Sequence, residues 1–154
     1  MRATQIVRGR EFVLAIDHGE DFFTALHTFC AEREVRAGYL PAFVGGFRSA
    51  RLVGSCRPLE NPDAPLWDSV EVECLEALGG GTLAWDPDTD RIAPHIHVTT
   101  GLKADSAHAR TSHLLGAQVQ FIAELIVVEI AQPEFTRPRV RSLYDVPLLT
   151  FDHG

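Results

Sequence analysis

Apolar and polar positions change period several times along the chain, and each change outlines an element. Glu11–Asp17, E-F-V-L-A-I-D, is a short apolar run between Gly9 and Gly19 and predicts a buried strand. From Phe22 the period turns helical. Phe22, Phe23, Leu26, Phe29 and Cys30 recur at i, i+1, i+4, i+7 and i+8, with Glu20 and Asp21 where the positive end of a helix favours carboxylates. Gly38 is the expected stop, and His27 on this helix reads as a structural or surface residue. Gly38–Phe47 and Ala50–Cys56 predict paired strands around a glycine-rich bend, with Pro41 placing the first at an edge or a bulge. Arg57–Trp67 holds three prolines and is the longest expected loop. In Ser69–Leu78 the residues Val70, Val72 and Cys74 alternate with outward Glu71 and Glu73 until Leu75 breaks the pattern, which predicts a half-buried strand.

Gly79-Gly80-Gly81 predicts a bulge or hairpin, and Asp86–Asp90 a polar turn. Gln118–Ala131, rich in Val and Ile, predicts a long central strand. Within it Glu124 shares its parity with Ile122 and Ile126. Such a carboxylate must face a cation, a donor or solvent, because burying it unpaired is too costly.

Composition narrows the picture without changing it. A chain of 154 residues with 45% hydrophobic and 23% charged positions has the size and balance of one globular domain, residues 1–154. No apolar run approaches the roughly 20 residues a membrane helix needs, and the first residues show no secretory h-region, so a cytoplasmic protein is expected. Cys30, Cys56 and Cys74 are odd in number and widely spaced, as reduced packed thiols are. The formal charge of −7 opposes phosphate contacts and makes DNA a doubtful partner. The one basic cluster, Arg137-Pro138-Arg139-Val140-Arg141, reads as a solvated or inter-subunit loop.

The candidate chemistry lies in A-P-H-I-H-V-T-T, residues 93–100. In a strand, His95 and His97 project from one face while Ile96 and Val98 point to the other. Two adjacent titratable rings add nothing to a packed strand, but they offer a divalent metal two neutral nitrogens on a rigid support. His113 follows sixteen residues later, in T-S-H-L-L, and a third imidazole from a following loop or strand completes a three-nitrogen site with an open coordination position. His108 is a competing third ligand. The triple glycine is followed by no Lys-Ser or Lys-Thr and no helix, so both nucleotide fingerprints fail. Asp86-Pro87-Asp88-Thr89-Asp90 lacks the glycine and glutamate of a calcium loop, since Arg91 and His97 stand there.

The ordered set E-C-L-E-A-L-G-G-G-T-L, P-H-I-H-V, S-H-L-L and E-L-I-V-V-E resembles the PPC domain, the plant and prokaryote conserved domain, over about residues 8–131, leaving 132–154 as a C-terminal extension. The resemblance implies a single α+β domain, a largely antiparallel mixed sheet with one main helix, assembled as a homotrimer. It implies zinc or another divalent metal on His95, His97 and His113, with Thr111-Ser112 in place of the two glycines of the family pattern. The family's DNA-binding label comes from members with an AT-hook. Here Arg8-Gly9-Arg10 runs into Glu11, so that element is missing. The fold also resembles that of acetolactate decarboxylase. That likeness implies Glu124 as a candidate proton donor or acceptor and Arg48 or Arg110 as candidate ligands for the carboxylate of a small anionic ligand. Two functions therefore stand: a metal-binding regulatory module, and a metal-dependent lyase or hydrolase acting on a small oxo acid.

Overall fold

The computed structural model describes residues 1–55, 67–102 and 105–151. Cys56 and all of the expected 57–67 loop except Trp67 lie outside the described residues. Four long strands, β2 (Gly38–Ser55), β3 (Trp67–Asp86), β4 (Arg91–Leu102) and β5 (Asp105–Gln132), carry most of the chain. All pair antiparallel: β5 with β2, β2 with β3, β3 with β4, and β4 back with β5, so the sheet closes on itself as a barrel. Closure leaves these strands few free edges. β1 (Val7–Asp17) adds to the far half of β5. The short strands β6 (Phe135–Thr136) and β9 (Thr150–Phe151) extend the sheet beyond β3, and β7 (Arg139–Val140) pairs with β8 (Val146–Pro147).

The single long helix, α1 (Phe22–Glu32), starts where Asp21 accepts the Thr24 backbone N–H at 2.8 Å. It buries Phe22, Leu26 and Cys30 as the period requires. Phe22, Phe43 and Phe47 meet with ring centroids 5.1 to 6.4 Å apart at the centre of the core. The helix ends before Gly38. Val35 N–H reaches back to the Cys30 carbonyl and Glu34 N–H to that of Ala31, a Schellman closure with Glu34 at φ 55° in the left-handed position that glycine usually takes.

Three expectations are corrected. Gly38–Ser55 is one continuous strand and not a hairpin; Gly45-Gly46 mark a register shift where β2 lies too close to Ala123 and Gln120 for side chains. The 79–81 glycines are mid-strand in β3, paired with Val98, His97 and Ile96, and form no turn. The central strand expected over Gln118–Ala131 is longer, since β5 begins at Asp105. The parity break after Cys74 has its cause in that residue's φ of 52°, which resets the alternation so that Leu75 is buried. Asp86 to Asp90 forms the expected β3–β4 turn, with the Asp86 carboxylate accepting from Asp88 N and the Thr89 hydroxyl. Cys30 is a free thiol, pushed up to about 12 by burial, and Cys74 is also free. Among the described residues, no helix is long and apolar enough to cross a membrane.

Candidate metal centre

β4 alternates strictly through the histidine segment. Ile92, Ile96, Val98 and Thr100 are buried, and His95 and His97 project from the opposite face. His97 lies across from His113 of β5, so the third imidazole arrives on a neighbouring strand of the same ladder. The antiparallel register of these two successive strands thus converts a sixteen-residue separation into direct contact. The three ring centroids are 5.0 to 5.4 Å apart, and His95 Nε2 is 3.2 Å from His97 Nε2. One nitrogen from each of the three rings lies within 4.8 Å of the others. Thr111 and Ser112, standing where the family pattern has glycines, leave this approach intact. Thr111 Oγ1 meets Thr99 Oγ1 at 2.9 Å, and the Ser112 hydroxyl donates to the Val53 carbonyl.

β3 supplies the floor. Gly80 and Thr82 register with His97 and His95, and a Cβ on Gly81 would lie 2.1 Å from the His95 carbonyl oxygen. Only glycine permits β3 and β4 to approach there.

The C-terminal segment supplies a cation. Arg137 is 4% exposed; its Nε donates to the Ala93 carbonyl at 3.2 Å and one terminal nitrogen to Thr82 Oγ1 at 2.8 Å, while the other lies 3.5 Å from His95 Nδ1. Of the 137–141 run, read as a solvated or inter-subunit loop, Arg137 is thus buried, whereas Arg139 and Arg141 are exposed. Desolvation first, then Arg137, His113 and His97, holds the His95 imidazole far below its ordinary value, at about 4. His113 is lowered by burial, then by His97 and Arg137, and burial lowers Arg137 itself. His95 and His113 are therefore neutral near pH 7, with lone pairs free for a Lewis acid.

The donor set fits a divalent metal. At a Zn–N distance of about 2.0–2.1 Å, two nitrogens of a tetrahedral site stand about 3.4 Å apart, close to the His95–His97 separation. Three imidazoles leave one position open. Among the described residues no carboxylate joins the group, so its charge would remain that of the ion.

The other predicted residues lie elsewhere. His108 is exposed and pairs with Asp105, outside the cluster. Arg48 is exposed on β2, and Arg110 is exposed on β5 across from Thr100, with parity opposite to His113. Glu124, eleven residues along β5 from His113, is exposed on the outer sheet face between Ala15 and Val44. Exposed apolar side chains surround it, with Glu11, Asp17 and Glu76 further out: Val13 pairs with Ile126 and Val44 with Leu78, and Val13, Leu78 and Phe121 are 78%, 57% and 69% exposed. Within one chain these residues are separate from the imidazoles. Arg137 and Thr82 carried no signal in the sequence beyond a short basic run and a strand threonine.

Residues 4–131 match the Plants and Prokaryotes Conserved (PCC) domain family. A plant- and prokaryote-conserved protein from Pyrococcus horikoshii shares the fold with a TM-score of 0.81 at 17% identity, over 97% of both chains. A metal-containing protein from Archaeoglobus fulgidus has a TM-score of 0.76 at 22% identity, over 97% of this chain and 99% of that one. A provisionally named DNA-binding protein from Ralstonia eutropha has a TM-score of 0.70 at 15% identity, over 92% and 90%. The likeness to alpha-acetolactate decarboxylase from Bacillus subtilis is more distant, with a TM-score of 0.53 at 12% identity over 88% of this chain and 58% of that one. No curated protein matches the chain.

Proposed function

Since the chain belongs to the Plants and Prokaryotes Conserved domain family, we propose that it is a cytoplasmic metal-binding module of that family, holding one divalent ion, foremost zinc, on His95, His97 and His113. The observation that carries this reading is the convergence of three imidazoles from two strands, with two ligand nitrogens at 3.2 Å. The metal-containing relative from Archaeoglobus supports it at the level of fold. Elemental analysis of purified protein tests it: about one ion per chain is expected in the wild type, with loss in His95→Ala and His113→Ala. Full retention of the ion in both variants overturns the site.

A second reading, a metal-dependent lyase or hydrolase for a small oxo acid, is favoured by the open coordination position and by the fold likeness to acetolactate decarboxylase. When bound, the ion would act as a Lewis acid on a substrate oxygen. For Glu124, Arg48 or Arg110 to serve such a reaction, a neighbouring copy must bring them to the imidazoles.

The same reading takes the chain as a homotrimer. The outer face of β1, β5, β2 and β3 exposes Val13, Val44, Leu78, Phe121, Ile122 and Ile126 around Glu124, an apolar patch that the single helix, on the other side, leaves uncovered. The family resemblance supplies the number three. A DNA-binding role, suggested by the names of some relatives, is opposed by the charge of −7.

A further inference from the structure

Among the described residues Arg137 is the one buried cation beside the histidine centre, and its position has a cost. A guanidinium offers five N–H donors; two are engaged here, by Ala93 and Thr82, and a terminal nitrogen lies 3.5 Å from His95 Nδ1. Among the described residues no carboxylate pairs with it, although buried arginines are ordinarily compensated. The three imidazoles are uncharged ligands, so they offset nothing. A dication placed on them would sit close to the guanidinium in a partly desolvated site with positive charge alone. Usual metal-bound histidines give their second ring N–H to a carboxylate or carbonyl; His95 instead faces a donor.

We propose that the centre is anion-dependent: the ion's open coordination position takes a small oxyanion, foremost the carboxylate of a small organic acid, and the buried charge of Arg137 selects it. The inference rests on the metal reading and names the ligand class of that site. A bound carboxylate lowers the net positive charge beside the buried guanidinium and satisfies the open position. An uncharged ligand of the same shape does only the second of these.

The test uses the full chain loaded with cobalt(II), whose visible absorption reports the coordination sphere. Wild type, Arg137→Lys and Arg137→Met are titrated with acetate, pyruvate, inorganic phosphate and the neutral isostere acetamide, with circular dichroism and elemental analysis on each protein. In the wild type, acetate or pyruvate is expected to change the spectrum and acetamide to leave it unchanged. In Arg137→Met, carboxylate affinity should fall at least roughly tenfold, as for the loss of a buried positive charge beside the site, while cobalt binds as tightly or more tightly in carboxylate-free buffer. Arg137→Lys should retain most of the affinity. A merely structural role would weaken metal and anion together, and that parallel loss overturns the inference. So does acetamide binding as well as acetate, a response to phosphate alone, or equal carboxylate affinity with and without the arginine. Should Arg137→Met fail to fold, the acetate and acetamide arms on the wild type still decide. A wild-type chain that takes up no cobalt overturns the metal reading itself and the inference with it. Cobalt uptake without discrimination between carboxylate and amide overturns the inference alone.

Discussion

Replacing Gly81 by alanine perturbs the metal centre without touching a ligand. The added methyl carbon would stand 2.1 Å from the His95 carbonyl oxygen and 2.9 Å from the His95 carbonyl carbon and the Ile96 Cα, all backbone atoms. Ordinary contact between such atoms begins near 3.5 Å, so β3 and β4 must part by about an ångström. Neither side can yield by rotating a side chain, and the cost belongs at the upper end of the roughly 1–3 kcal/mol of overpacking. That is a large share of the 5–15 kcal/mol typical of a domain's stability. The displaced peptide carries His95, so the 3.2 Å spacing to His97 is lost along with the ladder. Gly116→Ala is the matched control: no atom lies within 4 Å of its Cβ, and its expected effect is neutral to about 1 kcal/mol stabilising. Equilibrium denaturation of both metal-free variants, followed by elemental analysis after zinc loading, separates the two. If Gly81→Ala unfolds at the same denaturant concentration as Gly116→Ala and holds a full complement of metal, the close approach of β3 and β4 is not what positions the histidines.

Lowering the pH from about 6.5 to 4.5 should destabilise the metal-free protein. His95, at about 4, and His113, lowered by burial, stay neutral in the fold while the unfolded chain takes up protons first. The slope of melting temperature against pH should shrink in His95→Gln, and an unchanged slope would contradict the environment described for that ring. Duplex DNA should bind no more tightly than heparin, because the charge of −7 opposes phosphate approach; a sequence-specific complex that survives physiological salt would overturn this. Light scattering should give three times the 17.0 kDa chain mass. Charged substitutions at Val13 and Phe121 should lower that mass, whereas a wild-type monomer at micromolar concentration would remove the assembly.

The histidine pair and the helix were legible because both rest on local periodicity. Side chains two apart on a strand share a face wherever that strand ends up, and Phe22, Leu26 and Cys30 share a helical face for the same reason. The family motif pointed to His113 over His108, a choice that spacing alone left open. The glycines misled: a residue without a side chain suits a turn and a close strand crossing equally, and only the partner strand distinguishes them. Gly45-Gly46 and Gly79-Gly81 proved to be crossings. Arg137 was not legible, since a short basic run has the same composition whether solvated or buried. What the sequence determined by itself is therefore the chemistry that depends on neighbours along the chain: one amphipathic helix, alternating strands, and two imidazoles on one face. The tertiary structure alone decided which distant residues meet them. The register of β5 against β4 sets His113 against His97, and the C-terminal segment buries Arg137 beside His95. Those contacts are decided by strand register and by the return of the C-terminal segment, which bring together positions whose separation in sequence carries no periodic trace.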